Sequence, residues 1–483
     1  MFNDPHLSPL SVGEAIAPAA MPRPLRVGMI GIGTVGAGTW RVLRRNQGLI
    51  AGRAGRGIEI VAVAARNLAR AAKVLDGAEG VELTDDPLRV ATHPGVDVVV
   101  EAAGGTGPAR DWVLTAIAHG KHVVTANKAL LAVHGNEIFA AAQRRGVAVA
   151  YEGAVAVSIP IIKALREGLT ANRIEWVAGI INGTTNFILT QMRDEGLDFD
   201  TALAQAQALG YAEADPSFDV DGVDAAHKAT LLAANAFGMP VRFEHAHVEG
   251  IRKLQATDVA CAETLGFRIK LLGMARRVPA DSDGRGEAPQ AVELRVHPAL
   301  VPARHLLAQV DGSMNAVLVK GDACGVTMYY GAGAGSEPTA SAVVADLVDV
   351  ARLAADGNAA HRVPSLAFHP HAQRDRAVLP MGEVRTRHYL RVPVAAGCAD
   401  AVDQVAGHLA LAGIGVQSLQ LHTVPAADGA AEPATAADAA IDHVLVLTHT
   451  AADAQVQAAL ERLRDVPGLC VQAPVRLRVE MLE

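Results

Sequence analysis

Leu25-Arg-Val-Gly-Met-Ile30, Gly31-Ile-Gly33-Thr34-Val35-Gly36-Ala-Gly38 and Thr39-Trp-Arg-Val-Leu-Arg-Arg45 follow one another without a break, and their order decides the fold. An apolar strand runs into a GxGxxG turn, and the turn opens a helical pattern. Glycines placed in this way let the backbone close on a pyrophosphate at the helix N-terminus. Glycine makes up 46 of 483 residues, so the bare pattern carries little weight. The strand before it and the helix after it are what mark Gly31, Gly33 and Gly36 as a dinucleotide loop.

Outward from this turn the chain keeps alternating strand and helix. A second apolar run, Ile58-Glu-Ile-Val-Ala-Val-Ala64, ends on Ala65-Arg66, where NAD-specific folds place an acid on the ribose. Arg66 either meets a 2′-phosphate, which favours NADP(H) over NAD(H), or is an ordinary surface arginine. Val96-Asp-Val-Val-Val100-Glu101 leads into a glycine turn at Gly104 and Gly105, and Lys121-His-Val-Val-Thr125-Ala-Asn127-Lys128 ends a strand in a polar tetrad. Ligands of an open parallel sheet lie beyond the carboxyl ends of its strands, so Lys128 is expected at the cofactor crevice. The fold class read here is α/β, with a Rossmann-type dinucleotide-binding domain over 24–155.

The next region has a different texture. A strand over 173–181 runs into the polar turn Asn182-Gly183-Thr184-Thr185-Asn186, and helices follow to about Phe237. Strand-like runs return at 291–296 and 316–319, with a loop at 280–287 before the first. This reads as an α+β catalytic domain over 156–330. Gly331-Ala-Gly333-Ala-Gly335-Ser336 feeds a long helix and is either a flexible turn before a cap or a backbone returning to the cofactor; 331–356 would then complete the first domain. Residues 357–385, rich in His, Pro and Arg, read as a linker. The tail over 386–483 has the pattern βαββαβ, with helices expected over 399–412 and 452–465 and a loop at 424–440.

Composition excludes other classes. A net charge of −8, with no basic run and no aromatic-basic interleaving, argues against nucleic acid as the partner. No window of about 20 residues is apolar enough to span a membrane. Residues 1–23 lack a basic start followed by a long apolar stretch, and read as a disordered extension. Cys261, Cys324, Cys398 and Cys470 are far apart and show no metal-like spacing. That fits a reducing, cytoplasmic compartment without disulfides or zinc.

The chemistry is expected in Gly210-Tyr-Ala-Glu213-Ala-Asp215-Pro-Ser-Phe-Asp219-Val-Asp221-Gly-Val-Asp224-Ala-Ala-His227-Lys228. Asp224 and Lys228 stand one helical turn apart, which is either a solvated ion pair or the mouth of a buried helix. The small apolar residues that follow favour the second reading. Hydride reduction of an aldehyde leaves an alkoxide that needs a proton, and a lysine in a partly dry site can supply it. Glu213 and an aspartate would hold a substrate ammonium group, and the Gly183-Thr184 turn its carboxylate. A non-catalytic redox or amino-acid sensor and another reductase of amino-acid metabolism remain the alternatives.

These stretches together resemble the homoserine dehydrogenase family of the monofunctional bacterial type, from about Leu25 to the end of the chain. The resemblance is carried by Gly-Ile-Gly-Thr-Val-Gly at 31–36, Val-Val-Thr-Ala-Asn-Lys at 123–128, Asn-Gly-Thr-Thr-Asn-Phe-Ile-Leu at 182–189, Gly-Tyr-Ala-Glu-Ala-Asp-Pro at 210–216, Asp-Val-Asp-Gly-Val-Asp-Ala-Ala-His-Lys at 219–228 and Gly-Ala-Gly-Ala-Gly-Ser-Glu-Pro-Thr-Ala at 331–340. It implies NAD(P)H-dependent interconversion of L-aspartate 4-semialdehyde and L-homoserine, on the route to threonine, methionine and isoleucine. By the same resemblance Lys228 is the proton donor and Lys128 the second active-site lysine. Glu213, Asp219 and Asp224, with Gly183 and Thr184, hold the substrate. Thr34, Val35, Gly210 and Gly335 touch the cofactor. Glu152 and the carbonyls of Val155, Val157 and Ile159 hold a monovalent cation such as sodium. The tail resembles an ACT domain, a site for threonine, and a homodimer or homotetramer is implied. Two departures stand out: Ala156-Val157-Ser158 replaces the usual glycines of the cation loop, and Ala396-Gly397-Cys398-Ala399-Asp400 replaces the usual Asp-x-Pro-Gly turn of the tail.

Overall fold

The computed structural model describes residues 22–278, 291–356, 363–398, 400–423 and 441–483. The loops expected at 280–287 and 424–440 lie outside the described residues, as do almost all of the N-terminal extension and the first residue of the tail's expected first helix. Among the described residues no helix is long and apolar enough to cross a membrane.

Six parallel strands form the first sheet: β1 Leu25–Ile30, β2 Ile58–Ala64, β3 Glu82–Thr84, β4 Val98–Glu101, β5 His122–Thr125 and β6 Val149–Ala150. Their order, β3-β2-β1-β4-β5-β6, reverses direction between β1 and β4, the switch point at which a doubly wound sheet opens its crevice. Alternate residues feed opposite layers. Val98 and Val100 pack with Leu25, Val27 and Met29 on one face, while Val99 and Val123 face Ala109 and Val113 on the other. A sheet covered on both sides needs apolar residues at every position, which is why these strands read as continuous runs. The helix Ser336–Asp356 returns to this domain and lays Ala340, Val343 and Leu347 into the first layer, beside the helix Thr34–Arg45.

The second sheet joins β7 Ile174–Ile180, β8 His247–Val248, β9 Phe267–Arg277, β10 Val292–Pro302, β11 Met314–Gly321, β12 Gly325–Ala332, β13 Arg385–Ala395, β14 Val416–Thr423, β15 Ile441–Thr448, β16 Ala451–Ala452 and β17 Val475–Val479. Its path is β12-β11-β7-β9-β10-β17-β13-β15-β14, with β8 beside β10 and β16 beside β13. The tail has the expected βαββαβ order, but its sheet continues that of the catalytic part. Parallel pairing of β17 with β10, Ala299 opposite Arg478 and Leu300 opposite Val479, makes the seam.

Two long strands of this sheet escape the sequence reading, as do the two-residue strands β8 and β16. Phe267–Arg277 is buried along most of its length and shows no clean alternation, and Gly325–Ala332 is a glycine-containing edge strand, mostly half-buried. The run expected at 291–296 extends to Pro302 despite Pro298, a residue that argues against a strand. The stretch expected as a linker packs down in its described part. Tyr151 donates its hydroxyl to the Ser365 carbonyl at 2.6 Å, Leu366 is buried, and Phe368 covers Gly238.

Candidate active site

The cofactor end is shaped by absent side chains. Gly31 has φ +95°, a region that favours glycine, and a Cβ there would meet the Ala102 backbone at 2.8 Å. A Cβ on Gly36 would stand 2.2 Å from the Gly31 carbonyl oxygen, so only glycine lets the helix Thr34–Arg45 approach the loop. Gly33, by contrast, opens onto free space at the N-cap of that helix. A cleft of about 510 Å³ runs from Gly31 and Gly33 past Ala65 and Arg66 to Gly104 and Trp112. This cradle fits a dinucleotide: bare backbone where a pyrophosphate passes, a helix N-terminus behind it, and an exposed arginine at the far end. The second glycine loop comes back to the same place. Ser336 donates its hydroxyl to the Thr34 carbonyl at 2.7 Å, and Arg45 grips Glu337 through two hydrogen bonds of 2.9 Å. Thr34, Val35 and Gly335, the last at φ +126°, therefore share one rim.

The reactive groups gather beside it on the helix Val223–Phe237, whose residues from Asp224 onward are all buried. Lys228 Nζ donates to Asp224 Oδ2 at 2.6 Å and to the Ile181 carbonyl at 2.8 Å. Lys128 Nζ stands 3.1 Å from Asp224 Oδ1, so one carboxylate is shared by two ammonium groups that arrive from different domains. Asn182 completes the cluster. Its Nδ2 donates to Asp219 at 2.7 Å and to Asp224 at 2.9 Å, and its Oδ1 accepts from the Thr185 N–H at 2.8 Å, capping the helix Gly183–Asp194. Thr184 donates to the Tyr211 carbonyl at 2.7 Å and lies 3.4 Å from Asp219. Gly183 starts that helix with its Cα against the Ser313 carbonyl, which a Cβ would meet at 2.6 Å.

Burial sets the protonation tendencies. It opposes the charge on Asp224, but the ammonium groups of Lys228 and Lys128 outweigh it and hold that carboxyl well below the usual range. Asp219 is pushed up by burial and by the charge on Asp224. Lys228 is pushed down by burial, against the pull of Asp224 and helped by Lys128. His227, packed between Phe218 and Phe243, is lowered to about 4, by burial above all, and is a neutral aromatic wall at neutral pH. The arrangement holds one carboxylate charged, one poised nearer its proton, and a lysine that gives up its proton more readily than usual.

Not every expected residue joins this cluster. Glu213 is exposed, and Gly210 lies at φ +76° just beyond the helix Phe199–Ala208, on the same exposed turn. The two aspartates without an assigned role have structural partners: Asp215 accepts from the Ser217 N–H, and Asp221 pairs with Arg252. Asn182 and the Ile181 carbonyl are the residues the sequence reading missed. The position of Asn182 just ahead of Gly183 was the available signal, since an Asn there is an N-cap candidate.

At the cation loop Glu152 is buried and its two oxygens accept from the N–H groups of Ile162 and Lys163, at 2.9 and 2.8 Å. Val157 takes φ +54°, a left-handed conformation costly for a β-branched residue and suited to the glycine it replaces. Each carboxylate oxygen keeps a lone pair beyond these two bonds.

Two family models match the chain: homoserine dehydrogenase over residues 160–348, and the NAD-binding domain of homoserine dehydrogenase over residues 31–152. A homoserine dehydrogenase of Pseudomonas aeruginosa is 51% identical over 461 residues, 95% of this chain and 100% of that protein. One of Neisseria gonorrhoeae is 47% identical over 461 residues, 95% of this chain and 99% of that protein. The crystal structure of a homoserine dehydrogenase from Thiobacillus denitrificans superimposes with a TM-score of 0.86 at 51% identity, covering 96% of this chain and 100% of that one.

Proposed function

The chain belongs to the homoserine dehydrogenase family, and we propose that within it Lys228 moves the proton while Asp219 and Asp224 hold the substrate ammonium group. Its activity is the NAD(P)-dependent interconversion of L-aspartate 4-semialdehyde and L-homoserine. A nicotinamide cofactor supplies the hydride when bound. Lys228 then delivers a proton to the developing alkoxide, and its lowered affinity for that proton favours the transfer. Lys128, 3.1 Å from Asp224 on the cofactor side, adds positive charge where negative charge grows. Gly183 and Thr184 receive the substrate carboxylate at the start of their helix, and Glu213, on its exposed turn, is assigned as a further carboxylate for the ammonium group.

The observation that carries this reading is the buried Lys228–Asp224 contact of 2.6 Å, with a second lysine, Lys128, 3.1 Å from the same carboxylate. Arg66, in the lining of the glycine-edged cleft, supports NADP(H) over NAD(H), and Gly31 and Gly33 in the same lining support a backbone contact to the cofactor, to which Thr34, Val35, Gly36, Gly210 and Gly335 are the further residues assigned. Glu152, with the carbonyls of Val155, Val157 and Ile159, holds a monovalent cation such as sodium. The domains run over 24–155 with 331–356, over 156–330, and over 386–483, where an ACT-like module takes threonine. The enzyme works in the cytoplasm as a homodimer or homotetramer.

The test is NADPH oxidation with aspartate semialdehyde. Lys228→Ala should lose about 10²- to 10⁴-fold in kcat, the usual worth of a positioned proton donor. A wild-type rate in that variant removes the mechanism. The same assay with NADH, and with sodium or threonine added or withheld, checks the remaining assignments.

A further inference from the structure

Glu101 ends β4 and is fully buried, yet neither the proton transfer nor the substrate contacts above use it. Both of its carboxylate oxygens are engaged. Oε1 accepts from the N–H groups of Ala103 at 3.0 Å and Gly104 at 2.9 Å, and Oε2 accepts from the Thr125 hydroxyl at 2.7 Å. Thr125 is the register partner of Glu101 on β5. Its hydroxyl in turn accepts from the Asn127 N–H at 3.0 Å. Asn127 donates its Nδ2 to the Gly105 carbonyl at 2.7 Å, and its Oδ1 accepts from the Leu130 N–H at 3.1 Å, capping the helix whose first residue is Lys128.

We infer that Glu101 is a positioning residue for the reaction: it ties the turn after β4 to the start of the Lys128 helix and so sets where the Lys128 ammonium stands at the crevice. The inference rests on the reading that Lys128 works in the site. Gly104 and Gly105 lie at φ +79° and +82°, and this left-handed turn aims successive N–H groups inward at one carboxylate oxygen. Three donors converge on Glu101, and only a group that accepts at both oxygens satisfies all of them. A carboxamide at 101 would present its own N–H groups to one side and leave a buried donor unpaired. The Lys128 ammonium depends on this framework because it reaches Asp224 across the domain boundary, at 3.1 Å. A misplacement of about 1 Å in a reacting constellation can cost on the order of 100-fold.

The experiment compares Glu101→Gln, Thr125→Val and Thr125→Ser in the full chain, each with Lys128 present and in the Lys128→Ala background. It separates kcat from KM for aspartate semialdehyde reduction and checks the fold by circular dichroism and thermal melting. Glu101→Gln and Thr125→Val should lower kcat about 10- to 100-fold with Lys128 present, and less than about twofold without it, because the group they position is gone. Thr125→Ser, which restores the hydroxyl, should stay within about twofold of wild type. A folded Thr125→Val with a wild-type kcat overturns the inference, as does a loss of equal size in both backgrounds, and Thr125→Val decides the matter should Glu101→Gln fail to fold. A wild-type rate in Lys128→Ala alone overturns instead the reading of Lys128 beneath it.

Discussion

Asp224 lies between two lysines, and that contact governs how the site should answer to pH. On the mechanism proposed above, Lys228 donates its proton when the aldehyde is reduced and must be free of it when the alcohol is oxidised. Its affinity for that proton is lowered by burial and by Lys128, and supported by Asp224. Reduction should therefore fall as pH rises through a value below the ordinary lysine 10.5, and oxidation should rise through the same value. Asp224→Asn removes the supporting charge, so both limbs should move to lower pH. Profiles of log kcat against pH in each direction measure this, and a limb that moved to higher pH in the variant would contradict the assigned role. In the sequence Asp224 and Lys228 were visible as a pair one turn apart, with dryness suggested only by the small apolar residues after them. Asn182 and Lys128 were out of view as neighbours of Asp224, since their side chains meet it across 42 and 96 positions of chain.

The elements were legible where local physics dictates them. Strand, glycine turn and helix at 25–45 appear as read because an apolar strand, residues that permit tight turning and a helical pattern are each encoded within a few positions. Gly36→Ala tests that element directly. The added methyl would fall 2.2 Å from the Gly31 carbonyl, forcing the helix off the loop. Cofactor affinity should drop by about tenfold or more, roughly 1.4 kcal/mol, while the fold persists. A fluorescence titration with NADPH reads it, and an unchanged Kd would mean that the loop yields without cost. Strands β9 and β12 were not legible, because the first is covered on nearly all sides and the second is half-buried at a sheet edge without buried positions. Period-two patterning fades in both situations.

At the scale of the whole molecule, buried charges tie the tail to the catalytic part of the second sheet. Arg391 on β13 donates to Asp258 at 2.7 Å and to Gln255 at 2.8 Å, fixing the tail to the helix Ala256–Thr264 of the catalytic part. Arg478 on β17 grips Glu249 with hydrogen bonds of 2.8 and 2.9 Å, and the neighbouring Ile251 N–H donates to Val220, next to Asp219. Both arginines and Asp258 are fully buried or nearly so. Arg391→Met would strand the Asp258 carboxylate, at a cost of about 3–5 kcal/mol. Urea unfolding followed by tryptophan fluorescence should show that loss, and a change below about 1 kcal/mol would place the strength of the seam in the β10–β17 pairing instead. The sequence alone determined the α/β class, the dinucleotide loop, the βαββαβ tail and the carboxylate-lysine run, because each is written in residues close together along the chain. Tertiary structure decided that Lys128 and Lys228 share Asp224, that the helix Ser336–Asp356 packs on the cofactor domain, one of the two readings its glycine loop left open, and that the tail extends the catalytic sheet. Those three facts depend on packing between distant segments, which no local propensity encodes.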